Sequence, residues 1–288
     1  MSGYMSNNLK QHYLLEKKYA EEILRAPKNS LARKELIQRA NDEILKMMSA
    51  YNNGAAFSHD GEFIAVLVKA ILPKGAKILD FGCGEGGLVK ALSRDGYEVS
   101  GFDVAAINIR NAEEKLYQSG LAEKVFLGDW QDLQGEYDAI IMDNVIEHLV
   151  PDETIDILKK CFSLLNKNGI LLVVTPHRAA GPHDISKNFL PLGARAEGFH
   201  FHEFSVTELS GLLAESGFLE TASYLVHPKI LYRLNIFLRP RKIFCLRSLF
   251  IERVLLSKSF GKIFTLNRNL SRALVALLFP AVVVARKK

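Results

Sequence analysis

With 288 residues, 48% of them hydrophobic, the chain can bury one full-sized core with room left for accessory pieces. The net charge of +5 conceals a segregation: residues 229–288 carry 14 Lys/Arg against one acid, Glu252, a balance of +13 that leaves −8 upstream, so the C-terminal part is expected to offer a basic surface to an anionic partner. The first thirty residues are polar and charged, so export is not expected; Cys83, Cys161 and Cys245 lack paired or metal-type spacing, which argues against a disulfide framework or zinc site and for a cytoplasmic location.

From about Leu9 to Met48 apolar side chains recur at helical spacing, interrupted at Pro27 with Ser30 placed as an N-cap. Two helices are predicted there. From Phe63 onward helix and strand alternate, the pattern of an α/β fold whose mostly parallel sheet is covered on both faces. Short apolar runs place strands at 76–81, 97–104, 125–127, 137–142, 170–175, about 221–226 and from 281 to the end. Helices are expected at 88–95, 107–119, 152–165, where Asn168-Gly169 supplies the stop, and 205–217.

The run Asp80-Phe81-Gly82-Cys83-Gly84-Glu85-Gly86-Gly87 follows a strand and opens a helix, so the backbone can turn tightly and approach a ligand where a side chain would clash. Gly82, Gly84 and Gly87 also satisfy the dinucleotide fingerprint, which keeps a nicotinamide enzyme in play. Acids at successive strand ends favour a different nucleoside. Asp103, 23 positions after Asp80, closes the second strand where a carboxylate can accept from both ribose hydroxyls; Asp129 follows the third strand, placed to accept from an adenine amino group. Asp80 is placed to organise a cationic methionine moiety.

These motifs together resemble the class I S-adenosylmethionine-dependent methyltransferases: ILDFGCGEGG for the glycine motif, GFDV for the ribose acid, GDW for the adenine turn and YDAIIMDNVIEHL for the fourth-strand signature. The resemblance implies a Rossmann-like, seven-stranded, mostly parallel sheet with helices on both faces; the residues add N-terminal helices and a helical insertion before the last strand, where the resemblance implies only a short hairpin. It also implies that Asp80, Gly82 and Gly84 surround S-adenosylmethionine, Asp103 holds ribose, Asp129 and Trp130 flank adenine, and Asn144 lines the methionine side.

Five of the eight histidines, His148, His177, His183, His200 and His202, fall after the fourth and fifth strands, where an open parallel sheet forms its ligand crevice. The stretch from TPHRAAGPHDIS to GFHFHEFS is too long for an ordinary connection, and long loops at that edge bind or catalyse. Transfer to a hydroxyl requires help with its proton, and histidine titrates near neutrality. His183 is the first candidate for general base and His200 the second, with His148 third. Glu147, His148 and His200 also look like the metal site of small-RNA 2′-O-methyltransferases and ubiquinone-pathway O-methyltransferases, and the same set would bind Mg2+ here. Asn144 stands where those enzymes carry a glutamate, so one anionic ligand is missing from that pattern.

The chain thus divides into an N-terminal helical cap (1–60), a methyltransferase core (61–228), a basic amphipathic helical insertion (229–276) and a final core strand (277–288). The insertion mixes Ile243, Leu246, Leu249 and Phe250 with Arg247 and Arg253 at helical spacing, as helices lying on an anionic membrane do. The reading is O-methylation of a small or lipid-linked acceptor, a sugar or an isoprenoid-type molecule, with peripheral membrane contact. An RNA substrate is the alternative the basic segment raises and its aliphatic residues disfavour; a donor-binding protein without transfer activity is the other.

Overall fold

The computed structural model describes residues 2–51, 61–191, 193–224 and 280–288. The basic insertion at 229–276 lies outside the described residues, as do Cys245 and the ends of the expected sixth and seventh strands at 225–226 and 277–279.

Helices α1 (Ser2–Arg25) and α2 (Leu31–Tyr51) pair as a hairpin. The turn between them uses Asn29 in the left-handed region (φ 58°) and Ser30, whose Oγ accepts from the Arg33 N–H at 3.1 Å. Ser30 is thus the predicted cap. The helix begins earlier than about Leu9 because its polar first turns carry no periodic apolar signal. Tyr19, Ile23, Ala40 and Ile44 pack against Val150 and Phe199 of the core. Buried Arg33 donates to the Ala26 carbonyl and pairs with Asp152 (2.7 Å) and Glu153 (2.9 Å), latching the hairpin to the sheet side.

After α3 (Glu62–Ile71) come β1 (Lys77–Phe81), α4 (Gly87–Arg94), β2 (Glu98–Asp103), α5 (Ala106–Tyr117), β3 (Val125–Leu127) and β4 (Tyr137–Asp143). The chain continues through α6 (Thr154–Leu164), β5 (Leu165–Pro176), α7 (Val206–Glu215), β6 (Glu220–Tyr224) and β7 (Pro280–Arg286). The seven strands lie in the order β3-β2-β1-β4-β5-β7-β6. β7 alone runs against its neighbours β5 and β6. β6 therefore points the same way as β1 to β5, and its C-terminal end lies at their edge.

Alternation divides the core. Ile78, Val99, Ala139, Ile141, Leu172, Val282 and Val284 face one layer of helices, while Leu79, Phe102, Ile140, Met142, Leu171, Val283 and Ala285 face the other. Both faces of the sheet are covered by buried apolar side chains, which is why these strands read as continuous apolar runs. Asn168-Gly169 does not stop α6 as expected: the helix ends at Leu164, and Asn168 (φ 65°) lies inside β5, beside a register shift against β4. The strand order reverses between β1 and β4, so a crevice opens at their C-terminal ends, the place where such sheets take ligands.

Candidate functional site

The crevice is built from the ends of β1, β2, β4 and β5. At the tip of β1, Gly82 (φ 77°) and Gly84 (φ 53°) both hold left-handed backbone, which a side chain disfavours. They differ in surroundings. A Cβ on Gly82 would lie 2.7 Å from Val145 Cγ2, whereas one on Gly84 would meet nothing within 4 Å. The turn is therefore closed on one side by the β4 loop and open on the other.

Asp103 braces this turn: its Oδ2 accepts from the Gly84 N–H at 2.9 Å and its Oδ1 from the Ala105 N–H at 2.8 Å. Burial raises its pKa against the lowering effect of those donors and of Asn108. Asp80 is more confined still. Burial, then the charges of Asp143 and Asp103, push its carboxyl well above the ordinary carboxylate range. Asn144 follows β4 in the left-handed region (φ 54°), and its Nδ2 donates to Asp143 Oδ1 at 2.9 Å. Asp129 caps a 3-10 turn (Trp130–Asp132) by accepting from the Gln131 N–H at 2.9 Å, and it pairs with Lys34 Nζ of α2 at 3.3 Å. Trp130, half-buried, packs on the second core layer.

Directly after Val145, the 3-10 turn Ile146–His148 presents the second half of the site. Glu147 is fully buried; its Oε2 accepts from Thr175 Oγ1 at 2.8 Å, while Oε1 is buried without a hydrogen-bond partner. Burial pushes its pKa up to about 7. His148 Nδ1 donates to the Phe199 carbonyl at 2.9 Å, and burial, then the neighbouring His200, lowers its pKa to about 3. The imidazole is thus neutral with Nε2 as its acceptor. The His148 and His200 rings meet edge-on with centroids 4.6 Å apart. One ligand atom from each of Glu147, His148 and His200 falls within 4.8 Å of the others, a spacing at which the three could hold one metal ion.

Glu203 ties the remaining candidates together. It accepts from His200 Nδ1 at 2.9 Å and His183 Nδ1 at 3.1 Å, and it also takes the His183 backbone N–H at 2.6 Å. Burial would raise the pKa of Glu203, but the hydrogen bonds from the two histidines outweigh it and bring it to about 2. His200 is correspondingly raised: burial opposes its charge, and the bond to Glu203 and the carboxylate of Glu147 overcome that. Each ring, paired through Nδ1, keeps Nε2 for other use.

The structure therefore brings together Glu147, His148, His200 and His183. It sets His177 and His202 aside: His177 Nδ1 accepts the Ala179 N–H at 3.1 Å, and the His202 ring lies edge-on to Phe204. Sequence reasoning overlooks Glu203, Thr175, Asp184 and Glu16. Glu203 carries a local signal, three residues after His200, and Asp184 a local cap on Ser186, but Thr175 and Glu16 act on partners remote in sequence.

Residues 55–220 match a family model described as a methyltransferase domain. A ubiquinone biosynthesis O-methyltransferase from Xanthomonas axonopodis pv. citri (strain 306) is 30% identical over 157 residues, 50% of this chain and 63% of that protein. A carboxy-S-adenosyl-L-methionine synthase from Campylobacter concisus is 29% identical over 38% of this chain and 47% of that protein. The chain thus spans less than two thirds of the length of these curated relatives. Among solved structures, phosphoethanolamine N-methyltransferase 2 from Haemonchus contortus, in complex with S-adenosyl-L-methionine, superposes with TM-score 0.54 at 16% identity, covering 91% of this chain and 61% of that one. A SAM-dependent methyltransferase from Archaeoglobus fulgidus gives TM-score 0.50 at 18% identity over 84% and 99%. At such identities the likeness is one of fold.

Proposed function

Because the chain belongs to the methyltransferase-domain family, among the class I S-adenosylmethionine-dependent methyltransferases, we propose that it moves the methyl group of S-adenosylmethionine onto an oxygen of a small or lipid-linked acceptor. The observation that carries the acceptor half is the cluster of Glu147, His148 and His200, whose Glu147 is two residues from Val145, the wall that closes the glycine turn.

The donor fits the β1–β2 end. Gly84 leaves open space where a ligand can approach backbone, and buried Asp80 and Asp103 stand at adjoining strand tips. S-adenosylmethionine supplies an electrophilic methyl on a sulfonium sulfur. Asp80 favours a cationic neighbour because one would offset the repulsion of Asp143 and Asp103. Asp103 offers carboxylate lone pairs to ribose, and Asp129 with Trp130 is assigned to adenine.

A divalent cation fits Glu147, His148 and His200, since each imidazole is anchored through Nδ1 and Glu147 Oε1 is buried without a partner. Two imidazoles with one carboxylate suit Mn2+, Fe2+ or Zn2+ better than the Mg2+ expected from sequence. The chemistry such a cation supplies is a lowered pKa for a bound hydroxyl. His183 is assigned as the base that takes the acceptor's proton, with Glu203 holding its Nδ1–H and steadying the imidazolium that results.

Oxygen as the acceptor atom is supported by this base and cation set and by the names of the ubiquinone O-methyltransferase relatives. The basic segment at 229–276, counted from sequence, supports contact with an anionic membrane or a lipid-linked substrate. Among the described residues no helix is long and apolar enough to cross a membrane. The division into a cap at 1–60, a core at 61–228, an insertion at 229–276 and a final strand at 277–288 is part of this proposal. Labelled-methyl transfer into extract fractions separated as lipid, glycan and RNA tests it. Label in lipid or glycan supports the reading, label in RNA selects the alternative, and label in none contradicts it.

A further inference from the structure

Helix α1 reaches the acceptor cluster from far away in sequence. Glu16, buried on α1, accepts the backbone N–H of Phe199 through Oε2 at 2.9 Å, across 183 positions. Its Oε1 lies 2.7 Å from His12 Nε2, one helical turn earlier. On the same backbone, the Gly198 N–H is taken by Asp184 Oδ2 at 2.9 Å, and Asp184 is itself fixed by the Ser186 N–H and hydroxyl. The two carboxylates close on the chain so tightly that a Cβ on Gly198 would overlap Glu16 Oε2 and lie 2.6 Å from Asp184 Oδ2.

What they hold is the backbone on which the cluster depends. The carbonyl of Phe199 is the acceptor that fixes His148 Nδ1, and the next residue is His200. The Phe199 ring is anchored among Tyr19, Ile23 and Ile44, and Phe201 packs on the same group. The carboxylate bracket thus sets one imidazole through a peptide carbonyl and the other through chain position. Nothing in the methyl-transfer chemistry requires an acid on α1, and the hydrogen bond from Phe199 reaches Glu16 from backbone rather than from a side chain of the cluster.

We propose that Glu16 is a positioning residue of the acceptor site: by gripping the Phe199 peptide it fixes His148 and His200 in the geometry that receives a cation. The inference rests on the reading of Glu147, His148 and His200 as a cation site. It makes α1 a working part of that site, so that a chain lacking α1 would keep its donor turn and lose its acceptor half.

The test measures Mn2+ affinity of the full chain by electron paramagnetic resonance of the free ion, alongside S-adenosylhomocysteine affinity by calorimetry. Glu16→Ala is expected to weaken Mn2+ binding at least tenfold while donor affinity stays within about twofold. Glu16→Gln, whose amide oxygen can take the same N–H, restores most of the loss. Gly198→Ala, which forces the bracket open without altering Glu16, reproduces it and keeps the test valid should Glu16→Ala fail to fold. Wild-type Mn2+ affinity in Glu16→Ala or Gly198→Ala overturns the inference alone, as does a parallel fall in donor affinity, which would mark a general loss of structure. A wild-type chain that binds no Mn2+ overturns the cation-site reading and this inference with it.

Discussion

Gly82 lies so close to Val145 that a Cβ on it would stand 2.7 Å from Val145 Cγ2. The donor turn and the loop bearing Glu147 therefore share one wall, and the two glycines of that turn separate stability from binding. Gly82→Ala combines left-handed strain of roughly 1–2 kcal/mol with overpacking of about 1–3 kcal/mol, and thermal denaturation should show the larger loss. Gly84→Ala carries only the strain, yet fills the open approach, so S-adenosylhomocysteine affinity should fall at least tenfold. Wild-type affinity in Gly84→Ala would mean that the donor sits elsewhere.

Glu203 joins the His183 and His200 rings and also holds the His183 backbone N–H. Glu203→Ala should lower the rate of transfer by roughly 10²-fold, the scale of losing an oriented general base, with donor affinity unchanged. Glu203→Gln retains the shape but not the charge, and should recover only part of the rate. Steady-state kinetics with the acceptor found in the fraction screen decides this, and full activity in Glu203→Ala would remove the network from the reaction.

The sheet was legible in the sequence because buried parallel strands are short apolar runs and the chain punctuates them with glycines and acids. The placement of Asp80, Gly82, Gly84 and Asp103 at strand tips followed for the same reason, since the runs themselves locate those tips. Asn168-Gly169 misled because a left-handed Asn and a Gly serve a strand irregularity as well as a helix end. The acceptor side was half legible: the spacing of histidines marked the loop, and HFHEFS contained Glu203. Glu16 and Thr175 could not be read, because each is an ordinary residue of its own segment whose partner is fixed only by tertiary packing, and Asp184 showed only its local cap on Ser186, not its hold on Gly198.

Donor binding should move protons. Asp80 keeps its proton to higher pH in the folded protein than in the unfolded chain, where a carboxyl titrates near about 4. The unliganded protein therefore loses this contribution to stability as pH rises from there through the raised folded-state pKa. A cationic donor beside Asp80 favours its ionised form, so binding within that window should release protons. Calorimetry in buffers of different ionisation enthalpy detects the release, and Asp80→Asn should abolish it. No release from the wild type would contradict the placement of Asp80 at the cationic moiety.

Cation removal should separate the two halves of the site. Treatment with EDTA is expected to lower methyl transfer at least tenfold without weakening S-adenosylhomocysteine binding, and Mn2+ or Zn2+ should restore turnover at lower concentration than Mg2+, as the two imidazoles imply. Transfer that is indifferent to EDTA and to Glu147→Gln would leave proton removal to the histidines alone.

The account depends most on the donor resting against the glycine turn with its ribose on Asp103. Calorimetric titration of the full chain with S-adenosylhomocysteine, wild type against Asp103→Ala, measures this directly, with a melting curve to show that both are folded. Loss of charged hydrogen bonds worth roughly 1.5–3 kcal/mol each predicts affinity lower by about 10- to 100-fold in a variant that still melts cooperatively. Equal affinity in the two proteins would contradict it.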